Sequence, residues 1–118
     1  MSALIVKKDR TGEGLYAGRT YRPGEAVVEF EQVGWRSARD RYTVEHPFGG
    51  HFFHPVLAKT GHSCEPNCRV SFPDRALLAA RSIAAGEPIT FDYLTTERRI
   101  SYPFDCLCGS RRCRGRIE

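Results

Sequence analysis

The chain has 118 residues, 41% of them hydrophobic and 27% charged, with five cysteines and a formal net charge of +4. A chain of this length holds one domain with a modest core, and domains of this size are often helped by a bound metal or by self-association. No apolar run reaches the ~20 residues of a membrane-spanning helix, and the opening residues lack the form of a secretory leader. We therefore expect a reducing cytoplasmic setting, or a nuclear one if the source is eukaryotic, with no disulfides and no membrane partner.

Taken in chain order, short apolar runs broken by glycine and proline predict strands at 4–6, 15–17, 26–30, 42–44, 69–72, 76–79 and 89–91. The fold class is therefore mostly β. Pro23-Gly24-Glu25 and Ala85-Gly86-Glu87 punctuate the entry to two of these strands, as expected where glycine supplies a positive φ in a tight turn. Two such echoes do not make a repeat. Residues 31–41 and 46–61 read as irregular, with Gly49-Gly50 at a loop tip. The excess charge lies towards the C-terminal end, where residues 97–118 hold six arginines against three acids. Such a patch suits an acidic partner or nucleic acid, and equally a solvated, solubilising surface.

Among residues that carry chemistry, the cysteines stand out. Cys106, Cys108 and Cys113 form a Cys-x-Cys-x4-Cys tail interleaved with Gly109 and with the four arginines Arg111, Arg112, Arg114 and Arg116. That is a poor sequence for a set of buried small hydrophobes and a good one for a metal. Structural zinc takes four tetrahedral ligands, so the tail must fetch its fourth from elsewhere. Cys64, within His62-Ser63-Cys64-Glu65-Pro66-Asn67, is the leading candidate; Cys68 is a weaker rival, and His51, His54 and His62 are weaker still. Such a bond would fold the tail back over the middle of the chain and cover a pocket there. A thiol nucleophile at Cys64 with His62 as base is disfavoured, because residues two apart in an extended segment need not face one another and no third orienting group is evident. Read singly, Gly12 and Gly14 are turn glycines, His62 a satisfied histidine, Phe91 core and Tyr93 a strand-end aromatic.

Together the blocks resemble the SET-domain protein lysine methyltransferases with a post-SET zinc tail, a likeness that covers most of the chain. Gly12-Glu13-Gly14 is similar to the family's N-terminal Gly-x-Gly, and residues 21–30 resemble the strand entry that follows it. Gly61-His62-Ser63-Cys64-Glu65-Pro66-Asn67 is similar to the Asn-His-Ser-Cys-x-Pro-Asn signature, residues 85–93 to the Gly-Glu-Glu-Leu-Thr-Phe-Asp-Tyr signature, and residues 104–115 to the post-SET pattern. The resemblance implies a SET-like fold of several short curved β-sheets. It places a SET domain at 1–103, with a short insert at about 31–60, and a zinc-binding tail at 104–118.

The same resemblance implies S-adenosylmethionine as cofactor, held near Gly12, Glu13, Gly14, Gly61, His62 and Tyr93. It implies one structural zinc on Cys64, Cys106, Cys108 and Cys113, Tyr93 as the catalytic tyrosine, and a substrate channel walled by Phe91 and Tyr42. The expected activity is methyl transfer to a lysine of a protein or peptide, a basic protein among the candidates, with nucleic acid not expected. Phenylalanine at position 91 resembles the choice that leaves room for more than one methyl. Two departures stand against this pattern: Gly61 occupies a position where the family usually has asparagine, and the segment from Phe30 to Gly61 is short, with no cysteine-rich module before Gly12. Two other readings follow. One is a degenerate SET domain that keeps its zinc and binds a partner, which Gly61 favours; the other is a basic zinc module that binds nucleic acid through Arg111, Arg112, Arg114 and Arg116.

Overall fold

The computed structural model describes residues 3–9, 12–30, 34–36, 43–47, 49–97, 100 and 103–118. In chain order the strands are β1 (Leu4–Asp9), β2 (Gly12–Ala17), β3 (Ala26–Glu29), β4 (Gly34–Arg36), β5 (Val44–Glu45) and β6 (His51–Phe53). They continue with β7 (Gly61–His62), β8 (Cys68–Ser71), β9 (Ala76–Ala79), β10 (Thr90–Phe91), β11 (Phe104–Asp105) and β12 (Arg116–Ile117). Single 3₁₀ turns at Leu57–Lys59 and Tyr93–Thr95 are the helical elements among the described residues. None is long and apolar enough to cross a membrane.

These strands form five small sheets rather than one large one. β1 and β2 make an antiparallel hairpin in register from Leu4↔Ala17 to Asp9↔Gly12. The two-residue period of a strand puts Glu13, Leu15 and Ala17 on one face; Leu15 and Ala17 are buried in the core, while Glu13, nearer the Asp9↔Gly12 end of the hairpin, is exposed. The central sheet has the order β3-β9-β8, and all four residues of its middle strand, Ala76-Leu77-Leu78-Ala79, are buried. A strand covered on both sides loses the apolar–polar alternation, which is why this run is continuously apolar. The main core gathers around it, with Tyr21, Phe52, Leu15, Leu77, Ile83 and Ile89 each nearly sealed from solvent.

The two look-alike turns are wired alike. Gly24 has φ 88° and Gly86 has φ 92°, so each stands in the left-handed region that glycine enters at no steric cost. Glu25 accepts from the Arg22 amide at 2.7 Å and pairs with Arg19; Glu87 accepts from the Ala84 amide at 2.6 Å and pairs with Arg81. A bridge between Tyr21 and Ile83 joins the two segments.

The stretches expected to be irregular contain strands. β4 and β6 lie inside residues 31–41 and 46–61, and together with β5 they form a sheet of order β4-β6-β5. It is held by cross-strand and inter-sheet aromatic contacts: Phe52 stacks on Phe30 at 5.3 Å and meets Trp35 edge-on at 5.9 Å. Strands of two or three residues are too short to show a period, so their existence depends on that tertiary packing. Strand β5 starts at Val44; Tyr42, expected as a channel wall, lies outside the described residues.

Candidate functional site

The site is built where two distant segments run side by side. β7 and β10 pair in parallel, with Gly61 opposite Thr90 and His62 opposite Phe91, so His62-Ser63-Cys64 emerges beside Phe91-Asp92-Tyr93. Parallel neighbours cannot be joined by a tight turn, and the intervening chain is consumed by β8 and β9. Asn67 locks the crossing. It is 2% exposed; its Nδ2 donates to the Pro88 carbonyl at 2.7 Å, its Oδ1 accepts from the Thr90 amide at 2.9 Å, and its own amide donates to Thr90 Oγ1 at 3.3 Å. Sequence reasoning placed Asn67 in a motif without a role; the signal was an amide able to donate and accept at once.

Tyr93 opens the second 3₁₀ turn, and three contacts hold it. The Asp92 carboxylate caps the turn by accepting from the Leu94 amide at 3.1 Å, the Tyr93 amide donates to His62 Nδ1 at 3.1 Å, and the Tyr93 hydroxyl donates to the Thr60 carbonyl at 2.6 Å. The ring sits in an aromatic group, 5.1 Å from Phe91, 5.1 Å from His62 and 6.0 Å from Phe104 between centroids. It packs against both the main core and a second apolar cluster, formed by Cys64, Ile100, Cys106 and Ile117, so Tyr93 lies on the seam between them.

Because His62 Nδ1 accepts a hydrogen bond, its proton belongs on Nε2, which lies 3.5 Å from Cys64 Sγ. Burial pushes its pKa down and outweighs the pull of Asp92, so the ring is neutral at physiological pH and the 3.8 Å approach of Asp92 is not an ion pair. Both ring nitrogens are thus engaged by the protein itself, one orienting Tyr93 and the other directed at the cysteine cluster.

Beside Tyr93 opens a cleft of ≈ 1120 Å³ that reaches from the 57–62 segment to the tail residues 103–108. Glu13, Gly61, His62, Phe91, Tyr93, Cys106 and Cys108 line it, so seven of the residues singled out in the sequence share one wall system. Gly14 faces elsewhere: a Cβ there would stand 3.2 Å from the Tyr16 ring, and Tyr16 lies on the same side of β2 two residues on. Thr60, 2% exposed and also on the cleft wall, has a buried hydroxyl oxygen with no hydrogen-bond partner.

The tail returns to Cys64 as expected. β11 and β12 pair antiparallel, Cys106 donates its amide to the Gly115 carbonyl at 2.7 Å, and Ser110 donates to Glu65 at 2.6 Å. The Sγ atoms of Cys64, Cys106, Cys108 and Cys113 all lie within 4.8 Å of one another, with Cys64 and Cys106 3.8 Å apart. A tetrahedron with metal–sulfur bonds of ~2.3 Å sets its sulfurs ~3.8 Å apart, so the group could hold a metal with little movement. The Arg114 amide and guanidinium approach Cys64 Sγ at 3.4 and 3.5 Å. Backbone amides at Cys64 and Ser110 pull the Cys108 thiol down to about 6, whereas burial pushes Cys106 up to about 12.

None of the rival ligands joins the group of four cysteines. Cys68 is 1% exposed in the main core, where burial holds its thiol up at about 12, and it behaves as a small hydrophobe. His54 Nδ1 accepts from the amides of Val56 and Leu57, and His51 lies outside the cysteine group. The arginine patch is also partly spent within the domain: Arg114 pairs with Asp92 at 2.7 Å and Arg116 with Asp105 at 3.2 Å.

Comparison with known proteins gives one consistent answer. The SET domain family model matches residues 12–94. Histone-lysine N-methyltransferase trithorax of Drosophila virilis is 32% identical over 131 aligned positions, covering 87% of this chain and 3% of that protein. Histone-lysine N-methyltransferase ASHR3 of Arabidopsis thaliana is 30% identical, covering 94% of this chain and 27% of that one. A crystal structure of KRYPTONITE in complex with mCHG DNA and SAH superposes with a TM-score of 0.72 at 22% identity, covering 96% of this chain and 28% of that chain. The sheets, the crossing at Asn67 and the family match over most of the chain agree: this chain belongs to the SET domain family.

Proposed function

We infer that the chain transfers a methyl group from S-adenosylmethionine to the side-chain amine of a protein lysine. The observation that carries this reading is the Tyr93 hydroxyl, held 2.6 Å from the Thr60 carbonyl on the wall of the cleft. The relatives named as histone-lysine methyltransferases and the SAH in the KRYPTONITE complexes support it. The residues present fit such a cofactor: Gly61 brings bare backbone to the cleft wall, where a Cβ would meet only Thr90 Cγ2 at 3.9 Å, and the Thr60 hydroxyl is an unspent polar atom there.

S-adenosylmethionine, when bound, supplies an electrophilic methyl on a positively charged sulfur. Glu13 and Gly61 would hold it, with the His62 ring, its nitrogens already spent, packed beside it and Gly12 and Gly14 supporting the strand of Glu13. The amine must arrive neutral, and a lysine of pKa ~10.4 costs about 3 kcal/mol to deprotonate at pH ~8. A dry channel beside a positive charge lowers that cost, so no strong base is needed. Tyr93 and the Thr60 carbonyl orient the amine, and Phe91, 4% exposed behind Tyr93, closes the channel with an apolar wall. Cys64, Cys106, Cys108 and Cys113 would hold one zinc, whose binding energy orders a tail too short and glycine-rich to fold alone. Glu13, Glu97 and Asp105 line the cleft against Lys59, which suits a lysine in a basic segment.

Incubation of metal-loaded protein with isotopically labelled S-adenosylmethionine and core histones, then with a cell extract, tests the reading. Label on a lysine is the expected result. No transfer by folded, metal-loaded protein to any lysine would overturn it in favour of a non-catalytic SET domain, the reading that the absent side chain at Gly61 favours.

A further inference from the structure

We propose that Arg114 is a positioning residue for Tyr93, so that the docked tail fixes the turn bearing the tyrosine besides covering the cleft. The inference rests on the methyl-transfer reading only for its effect on rate; its structural part stands alone. Arg114 follows Cys113 directly and is carried to its place by the tail. Its guanidinium forks over the Asp92 carboxylate, Nη1 to Oδ1 at 3.2 Å and Nη2 to Oδ2 at 2.7 Å. The same Nη1 and the Arg114 amide also reach Cys64 Sγ at 3.5 and 3.4 Å. One side chain therefore ties the cysteine group to the acid that caps the Tyr93–Thr95 turn.

The Asp92 side chain is 11% exposed, so it cannot rely on water for its charge. Among the described residues its carboxylate accepts from the Leu94 amide and from the arginine fork. A nearly buried carboxylate stripped of its cation is strongly unfavourable, and it relaxes by turning outward. That movement releases the Leu94 amide, and the turn then loses the cap that sets where Tyr93 begins. The Arg114 side chain is itself 41% exposed, which screens the pair, so the consequence follows from the enclosed acid end. Here the fork is bidentate, it is shared with a sulfur atom, and its acid is adjacent in sequence to the tyrosine. Lysine cannot replace it fully, since an ammonium has no planar fork.

The test compares metal-loaded wild type with Arg114→Gln and Arg114→Lys. Amide exchange by NMR should show Tyr93 and Leu94 exchanging roughly tenfold faster or more in Arg114→Gln, with the β3-β9-β8 amides unchanged. Metal content should stay at the wild-type level because all four cysteines remain. On core histones kcat should fall roughly ten- to a hundredfold, with KM for S-adenosylmethionine within about threefold, and Arg114→Lys should recover part of the loss. Unchanged protection at Tyr93 and Leu94 overturns the proposal, as does loss of metal from Arg114→Gln, which would assign the residue to the cysteine group instead. Should Arg114→Gln fail to fold, Arg114→Lys, which keeps the charge but loses the planar fork, is judged by the same two readouts. If wild type transfers no methyl, the activity reading fails and the exchange comparison still decides the role of Arg114.

Discussion

Gly61→Asn tests the cofactor side of the cleft, and the structure allows its size to be worked out in advance. Gly61 does not use a positive φ, and a Cβ built there meets only Thr90 Cγ2, at 3.9 Å, an ordinary contact. The new side chain therefore enters without backbone strain or collision. Replacing glycine stiffens the unfolded chain, worth ~0.4–1 kcal/mol, while asparagine is a poor strand former, so the net change in stability should stay within about 0.5 kcal/mol. What the variant should gain is one side-chain hydrogen bond to S-adenosylmethionine, ~0.5–1.5 kcal/mol net, or a Kd lower by about two- to twelvefold. Calorimetric titration of both proteins, with thermal melts run in parallel, reads the two numbers separately. Equal or weaker binding by a variant that melts normally would refute the reasoning and show that this backbone accommodates the cofactor by another route.

Tyr93→Phe should abolish most methyl transfer while costing only about 1 kcal/mol of stability, the value of the hydrogen bond to Thr60, as read by turnover and denaturant titration; an unchanged rate refutes the role of the hydroxyl. Phe91→Tyr should keep activity and shift products towards fewer methyls in mass spectrometry, since the ring lies 5.1 Å from Tyr93 and an added hydroxyl takes space beside the amine. In elemental analysis Cys64→Ser should lose the metal, whereas Cys68→Ser should keep it and lose ~1–3 kcal/mol of stability for a hydroxyl buried in an apolar core. The reverse pattern would reassign the fourth ligand. Burial raises the pKa of Glu97, so the folded state holds its proton more tightly than the unfolded chain, and stability is lost as pH rises through the folded value. Glu97→Gln, which keeps an acceptor for the Glu45 amide and the Thr96 hydroxyl, should therefore melt above wild type at about pH 8 and converge with it towards about pH 4. A variant less stable at the higher pH would overturn that sign.

The sequence by itself determined a good deal here. Ligand arithmetic on three tail thiols called for a fourth from the middle of the chain, and Cys64 is where the tail arrives. Runs such as 76–79 announced a strand, and the Gly24 and Gly86 turns announced themselves, because these signals are local: a period, a composition, a residue that tolerates positive φ. The sheet of β4, β5 and β6 was not legible, since strands of two or three residues carry no period and exist only through contacts such as Phe52 on Phe30. The part of the site that positions rather than reacts was equally silent. Asn67 clamping Thr90 and Pro88, His62 spending one nitrogen on the Tyr93 amide, and Arg114 reaching back 22 residues to Asp92 are pairings of polar atoms across long separations. A residue type states which bonds it can make; only the parallel crossing of β7 and β10 and the return of the tail decide with whom, because partner choice is fixed by proximity in space.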